Sequence, residues 1–284
     1  MQAEGCGLYL GVDGGGTGCR AAVADGLGRI IGQAEGGPAN VNSDPERAFA
    51  NIAEAVGRAM EAAGVARVAQ AGLGLAGANA ANVHDRLAAI MPAGRVRVET
   101  DALTATMGAL GGRDGVVAAI GTGSVFGRLV GDRFRQIGGR GLVLGDEGSG
   151  AWMGRAALSD ALRAEDGHAE LTPYLAGLLA RHGGGAGVIG FAQTARPADF
   201  AALMPEMIAA ASGPEPDPAA QSVLSRAKAE IREAIAILRG ADDLPVVFLG
   251  GLGPYFRAAL AAEFPVADAV GNSLDGALRL ARQA

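Results

Sequence analysis

Cysteine is nearly absent from this 284-residue chain, which holds only Cys6 and Cys19. They lack C-x-x-C spacing and have no histidine nearby, which excludes a cysteine-built zinc site or a conventional iron–sulfur ligand set within the chain. Two reduced thiols are the expectation, the alternative being a Cys6–Cys19 disulfide. Histidine is equally scarce: His84, His168 and His182 are scattered with no pair at ligand spacing, and read as surface or core side chains. There is no basic run, and the formal net charge of −6 argues against a nucleic-acid partner. No basic segment leads into an apolar stretch at the N-terminus, and nowhere do 18 apolar residues run together, so no membrane span is predicted and the expected location is cytoplasmic. The absence of G-x-x-x-x-G-K-[ST] excludes a Walker-type nucleotide site, and the absence of a G-x-S-x-G elbow argues against a hydrolase of that kind.

Hydrophobic residues make up 49% of the chain and charged residues 19%, the balance of a compact folded protein. The length is comfortable for two lobes with separate cores. Strands are predicted at Leu8–Val12, Cys19–Ala24 and Arg29–Ala34, followed by a loop from Gly36 to Asn42. A helix comes next, started by a Ser43/Glu46 capping box or by Asp44 ahead of Pro45, with Phe49, Ile52, Val56 and Met60 on its buried face. Val68–Ala76 (strand), Ala80–Met91 (helix), Val96–Thr100 (strand) and Ala102 to about Leu110 (helix) complete a mixed α/β lobe. The plan then restarts: strands at Gly115–Ile120, Val125–Val130 and Phe134–Ile137 suggest a duplicated unit. Helices follow at Ala151–Ala164, Glu170–Arg181, Ala198–Ala211 and Pro218–Leu238, with Ser212–Pro218 as a stiff surface connection. A strand at Val246–Leu249 and helices near Pro254–Glu263 and Leu274–Arg282 close the chain.

The 47 glycines have no collagen-like period and cluster in a few places that carry chemistry. Asp13-Gly14-Gly15-Gly16-Thr17-Gly18 joins two strands with more glycine than a hairpin needs. The surplus lets successive N–H groups turn toward an anion, Thr17 adds a hydroxyl, and Asp13 can hold the accompanying metal. A plain Gly-rich turn with a capping Asp stays open beside that reading. Gly121-Thr122-Gly123-Ser124 is a second glycine and hydroxyl turn at the same place in the second lobe. Asp101 ends a strand at a helix start, where an N-cap and a catalytic carboxylate are both natural. Adjacent acids in Gly145-Asp146-Glu147-Gly148-Ser149 could hold vicinal sugar hydroxyls or cap the next helix. A competing signal, Gly72-x-Gly74-x-x-Gly77 with Glu99 ending the next strand, fits an NAD(P)-binding Rossmann unit, although three strands precede it.

With Gly250-Gly251, these stretches occur in the order found in the N-acetylglucosamine kinase and BadF/BadG/BcrA/BcrD ATPase family, which the chain resembles over nearly its whole length. The resemblance implies an α/β fold of two actin-like ATPase lobes, ribonuclease H-like, each a mixed five-stranded sheet with helices, around a cleft. The expected division is 1–109 and 110–284, the second lobe carrying a helical insertion and the final helix free to pack back on the first. The implied activity is ATP-dependent phosphorylation of the 6-hydroxyl of N-acetylglucosamine or glucosamine, with ATP and Mg²⁺ as cofactors and a homodimer as the expected assembly. Asp101 matches the catalytic aspartate. Asp13, Gly14, Gly15, Gly16, Thr17, Gly121, Thr122, Gly123 and Ser124 match the phosphate turns, Asp13 also placing the metal. Gly250 and Gly251 match the adenosine contact, while Asn40, Gly145, Asp146 and Ser149 match the sugar side. Gly18 departs from the family, where many members have a polar residue after the threonine. A non-catalytic sugar sensor on the same fold is the alternative of another class. It is weakened by the presence of Asp13, Thr17 and Asp101 and by the lack of a DNA-binding helix pair before residue 8.

Overall fold

The structure, a computed structural model, describes residues 7–79 and 82–284. Five strands, β1 (Tyr9–Gly14), β2 (Cys19–Ala24), β3 (Ile30–Gly36), β4 (Val68–Leu75) and β5 (Ala93–Thr100), form one sheet in the order β3-β2-β1-β4-β5. A second sheet takes β6 (Gly115–Ile120), β7 (Ser124–Val130), β8 (Arg133–Gly138), β9 (Val246–Leu249) and β10 (Val266–Ala267) in the order β10-β9-β6-β7-β8. Reversed, the second order is the first, a three-strand meander extended by two further strands. In both sheets those added strands run parallel to the first of the meander. The duplication expected from the two glycine turns is therefore a duplication of topology.

The chain divides into two compact units. Unit 1 runs to Gly115 and adds Gly127–Phe134 and Asp268–Ala284; unit 2 is Val116–Phe126 with Arg135–Ala267. In unit 1, α1 (Pro45–Ala63) starts at an Asp44 cap whose carboxylate accepts from Arg47 N–H, with Pro45 at the first position, so the Asp44 alternative holds over the Ser43 box. Phe49, Ile52, Val56 and Met60 are all buried against the sheet, at roughly 1.5–3 kcal/mol for each large apolar side chain. α2 (Val83–Ile90) covers the described part of the helix expected from Ala80; residues 80 and 81 lie outside the described residues. α3 (Asp101–Leu110) follows β5 directly.

The last helix, α11 (Ser273–Ala281), packs on α3, β1 and β4 in unit 1. Glycine makes this approach possible: a Cβ on Gly11 would lie 2.7 Å from Leu278 Cγ, and one on Gly72 would overlap the Ala277 carbonyl. A Cβ on Gly74 would overlap Thr104. The Gly72-x-Gly74-x-x-Gly77 signal is thus explained by helix-on-sheet packing inside β4, and Glu99 is ion-paired to Arg97. Gly77 is the one of the three that needs a positive φ (+82°).

Unit 2 is mainly helical after β8. α4 (Gly150–Glu165), α5 (Pro173–His182), α6 (Gly185–Thr194), α7 (Pro197–Ala201), α8 (Met204–Ser212), α9 (Pro218–Arg239) and α10 (Gly253–Leu260) complete it. The single helix expected over Ala198–Ala211 is two, because Pro205 has no N–H to return to the Ala201 carbonyl and the chain breaks just before it. The glycine-rich α6 gave no helical pattern in the sequence. The connection Ser212–Pro218 is more than a surface spacer: buried Asp217 accepts from Thr172 Oγ1 (3.0 Å) and from the backbone N–H groups of Tyr174, Ala219 and Ala220. No helix among the described residues is long and apolar enough to cross a membrane.

Candidate active site

In unit 1 the register of three parallel strands builds a row. Gly14 pairs with Leu75 and Leu75 with Thr100, so the carboxyl ends of β1 and β5 lie two strand spacings apart, about 10 Å. Asp13 and Asp101 are delivered at the two ends of that row. The hairpin after β1 closes through Gly15 N–H donating to the Gly18 carbonyl at 2.9 Å. Its three glycines serve different ends. A Cβ on Gly14 would lie 2.6 Å from Leu75 Cδ2, whereas Gly15 and Gly16 face open space and neither has a positive φ. Among the described residues nothing accepts from the N–H groups of Gly16, Thr17 or Gly18, and the Thr17 side chain is exposed. These donors are what an anion-binding turn requires. The turn borders a hollow of about 440 Å³ lined by Asp13, Gly15, Thr17, Gly18, Arg20 and Glu35 among others.

Arg20, unnoticed in the sequence, stands directly across the ladder from Asp13, its Nη2 donating to Asp13 Oδ2 at 2.6 Å. Period-two pairing across the hairpin was the signal that could have found it. The loop carrying Asn40 is stitched to the turn, Ala39 N–H donating to the Gly15 carbonyl and Ala76 N–H to the Gly14 carbonyl, both at 2.8 Å. Asn40 Oδ1 accepts from the N–H groups of Asn42 and Ser43, which commits its oxygen to the loop and leaves its amide donors.

Asp101 is the first residue of α3 but not its cap, which is Thr100 (Leu103 N–H to Thr100 Oγ1, 3.3 Å). The Asp101 carboxylate accepts from its neighbour's N–H, Ala102, at 2.9 Å. The residue is solvent-exposed, yet enough protein surrounds its carboxyl to cost it hydration. That desolvation, with the like charge of Asp13, pushes its pKa above the ordinary aspartate value, against the Ala102 hydrogen bond.

Unit 2 brings its expected segments together at the carboxyl ends of β6 and β9, which are in register at Ala119 and Leu249. The Gly121–Ser124 turn is braced by α4: Gly150 N–H donates to the Gly121 carbonyl (2.9 Å) and Ala151 N–H to the Thr122 carbonyl (3.1 Å). Thr122 is exposed, while Ser124 is buried and donates to the Glu147 carbonyl at 2.8 Å. Gly250 has φ +83° and no room for a Cβ beside the Ile120 carbonyl; Gly251 is open. Both glycines precede α10, and Leu252 N–H returns to the Ile120 carbonyl.

Asp146 has a left-handed backbone (φ +56°) and is 7% exposed, its Oδ1 accepting from Gly141 N–H at 3.0 Å. Burial and the nearby Glu147 charge raise its pKa, against the Gly141 hydrogen bond. A Cβ on Gly123 would come 2.7 Å from Asp146 Oδ2, so this carboxylate fills the space beside the turn. Gly145 is buried next to it. Ser149, expected to touch a sugar, is fully buried and caps α4 by accepting from Trp152 N–H at 3.1 Å; it, rather than Asp146 or Glu147, is the helix cap.

The sequence also gave no warning of a cavity of about 400 Å³ between α9 and α10, lined by Gln221, Ser225, Lys228 and Tyr255 among others. Lys228 is the only lysine of the chain and pairs with Glu263 at 2.8 Å. That singularity, and a tyrosine four residues past Gly251, were the signals available. Among the described residues no three histidine, cysteine or acidic side chains cluster to hold a metal. A cation at Asp13 would therefore take one protein carboxylate and draw its other oxygens from substrate and water, the habit of Mg²⁺. Asp13 fits that use: it lines the hollow, and its Oδ2 accepts from Arg20.

Comparison with known proteins gives one consistent picture. The family described as BadF/BadG/BcrA/BcrD ATPase matches residues 10–259. Glucosamine kinase GspK of Vibrio cholerae serotype O1 is 31% identical over 245 residues, covering 83% of this chain and 82% of that protein. An N-acetylmuramic acid/N-acetylglucosamine kinase of Clostridium acetobutylicum is 29% identical over 175 residues, 57% of this chain and 56% of its own length. A crystal structure from Chromobacterium violaceum, provisionally described as an N-acetylglucosamine kinase, superposes with a TM-score of 0.79 at 31% identity over 98% of this chain and 99% of that one.

Proposed function

Because the chain belongs to the BadF/BadG/BcrA/BcrD ATPase family, we propose that it transfers the γ-phosphoryl group of Mg²⁺-bound ATP to the 6-hydroxyl of an amino sugar, glucosamine or N-acetylglucosamine. The observation that carries the reading is the row Gly14–Leu75–Thr100, which sets Asp13 with its unpaired turn amides at one end and Asp101 at the other. Phosphoryl transfer needs little covalent chemistry from a protein, which positions the two oxygens and neutralises charge. In unit 1 the amides of Gly16, Thr17 and Gly18 and the Thr17 hydroxyl hold phosphate oxygens; in unit 2 the exposed Thr122 of the Gly121–Ser124 turn is the hydroxyl available to a phosphate. Mg²⁺ when bound offsets phosphate charge, and Asp13 anchors it. Asp101 accepts the proton of the 6-hydroxyl as the new O–P bond forms and the bond to ADP breaks, giving the sugar 6-phosphate and ADP. A general base of this kind is worth roughly 10² to 10⁴ in rate.

In unit 2 Asp146 holds ring hydroxyls, with Gly145 allowing close approach and Ser149 fixing the helix behind them; in unit 1 the amide of Asn40 is the donor available to a sugar. The base of the nucleotide packs on Gly250–Gly251 and into the neighbouring α9–α10 cavity against Tyr255, with Gln221 and Ser225 as its polar partners. The test offers glucosamine, N-acetylglucosamine and glucose separately with Mg-ATP. Sugar-dependent ADP release with either amino sugar is expected. No release above background with any of them would overturn the reading.

A further inference from the structure

Among the described residues lining the hollow beside the first turn, Arg20 is the only cation. The ladder sets it opposite Asp13 on β1 and opposite Glu35 on β3. Residues directly opposite in antiparallel strands share a face, so the hollow is bordered by a row of acid, base and acid. Arg20 is paired with one of the two: Nη2 donates to Asp13 Oδ2 at 2.6 Å, and its guanidinium makes no other hydrogen bond among the described residues. The Glu35 carboxylate has neither a hydrogen bond nor an ion pair among them. The Arg20 side chain is 40% exposed and that of Asp13 18%. A pair with this much access to water is held weakly enough to exchange partners.

Asp13 is also the carboxylate that fits Mg²⁺, so two cations have a claim on it. We propose that Arg20 is a phosphate-binding residue that rests on Asp13 while the site is empty and moves onto a nucleotide phosphate oxygen once Asp13 holds the metal. The proposal rests on the reading of Gly16, Thr17 and Gly18 as phosphate donors. Beside a metal-bound carboxylate a guanidinium loses its attraction and meets the charge of a second cation, which favours its departure. The anion gathered by the turn amides borders the same hollow, and the guanidinium fork matches two phosphate oxygens. Five N–H donors also leave Arg20 enough to reach Glu35, which steadies it from the β3 side. In the empty protein the Arg20 pair keeps the Asp13 charge from repelling an incoming phosphate.

The experiment titrates ADP calorimetrically, with and without Mg²⁺ at constant ionic strength, into wild type, Arg20→Gln, Arg20→Lys, Asp13→Asn and the double variant Asp13→Asn/Arg20→Gln. The melting temperature of each ligand-free protein is recorded alongside. Arg20→Gln is expected to weaken Mg-ADP binding roughly 10- to 100-fold, the range for a charge-assisted contact. Its melting temperature should move by no more than about 4 °C, because so exposed an ion pair adds little stability. Arg20→Lys recovers part of the affinity. Asp13→Asn frees Arg20 in advance and should bind metal-free ADP more tightly than wild type, with no further gain from Mg²⁺. The double variant should bind metal-free ADP roughly 10-fold or more weakly than Asp13→Asn. Unchanged Mg-ADP affinity in Arg20→Gln, or a melting shift beyond that size, overturns this proposal alone. So does metal-free binding by Asp13→Asn that is no tighter than wild type, or equal to that of the double variant. Failure of wild type to bind ADP with Mg²⁺ overturns it together with the phosphate reading of the turn.

Discussion

The turn after β1 and the turn after β6 hold the same place in two sheets of the same topology, yet they are fastened in opposite ways. After β1 the hydroxyl of Thr17 is exposed and three successive amides are without acceptors among the described residues. After β6 the hydroxyl of Ser124 is buried on the Glu147 carbonyl, and two turn carbonyls are held by the first amides of α4. A duplicated frame therefore carries one turn whose polar groups are left open and one whose polar groups join it to the loop of Asp146. The same division separates the two acids. The Asp101 carboxylate accepts from the adjacent Ala102 amide and the residue is solvent-exposed, whereas Asp146 is buried and shapes the loop it belongs to.

Substitutions can break that contrast. The largest effect is expected for Asp101→Asn, which should lower kcat by roughly 10² to 10⁴ in a steady-state kinase assay. The same change should raise the melting temperature. Between the ordinary aspartate pKa and the raised value of the folded chain, the native protein holds a proton the unfolded one has released. Stability therefore falls as pH rises through that window and stays lower above it, and asparagine removes the decline. A melting temperature that drops by several degrees would mean Asp101 is structural. The pair Thr17→Ala and Ser124→Ala sharpens the comparison of the turns. Thr17→Ala should reduce kcat/KM for ATP about 10-fold and leave melting unchanged, while Ser124→Ala should cost about 1–2 kcal/mol of stability. Reversed outcomes would exchange the roles assigned to the turns.

Asp217→Ala, in the helical part of unit 2, should cost about 2 kcal/mol, the loss of a helix cap and of its link to Thr172 and Tyr174. Burial opposes ionisation of Asp217, but its four donors outweigh it and hold the pKa below the ordinary value. Its contribution is therefore complete above the unfolded pKa and is lost as pH falls through the folded one. Denaturation curves for wild type and variant should converge in acid. Curves that stay parallel would contradict the assignment.

Most of the frame was legible because it follows from local signals. Alternating apolar runs marked the strands, Asp44-Pro45 marked α1, and glycine with hydroxyl marked both turns. What the sequence hid depends on contacts distant in the chain. The glycines Gly72 and Gly74 look like fingerprint residues, and only the arrival of α11 and α3 shows them to be clearances for packing. Likewise Ser149 looked like a ligand until its hydroxyl was found on Trp152 N–H, and Asp217 looked like part of a spacer until Thr172 and Tyr174 were found on it. Arg20 and the α9–α10 cavity were missed because a cross-strand partner and a hollow between helices have no signature along the chain.

The assignment of Asp101 as the base is tested most directly by the pH dependence of kcat/KM with saturating Mg-ATP and a limiting amino sugar. The account predicts an acidic limb governed by a group titrating above the ordinary aspartate value of about 3.9, and its disappearance from the residual activity of Asp101→Asn. An unchanged acidic limb in that variant would contradict it.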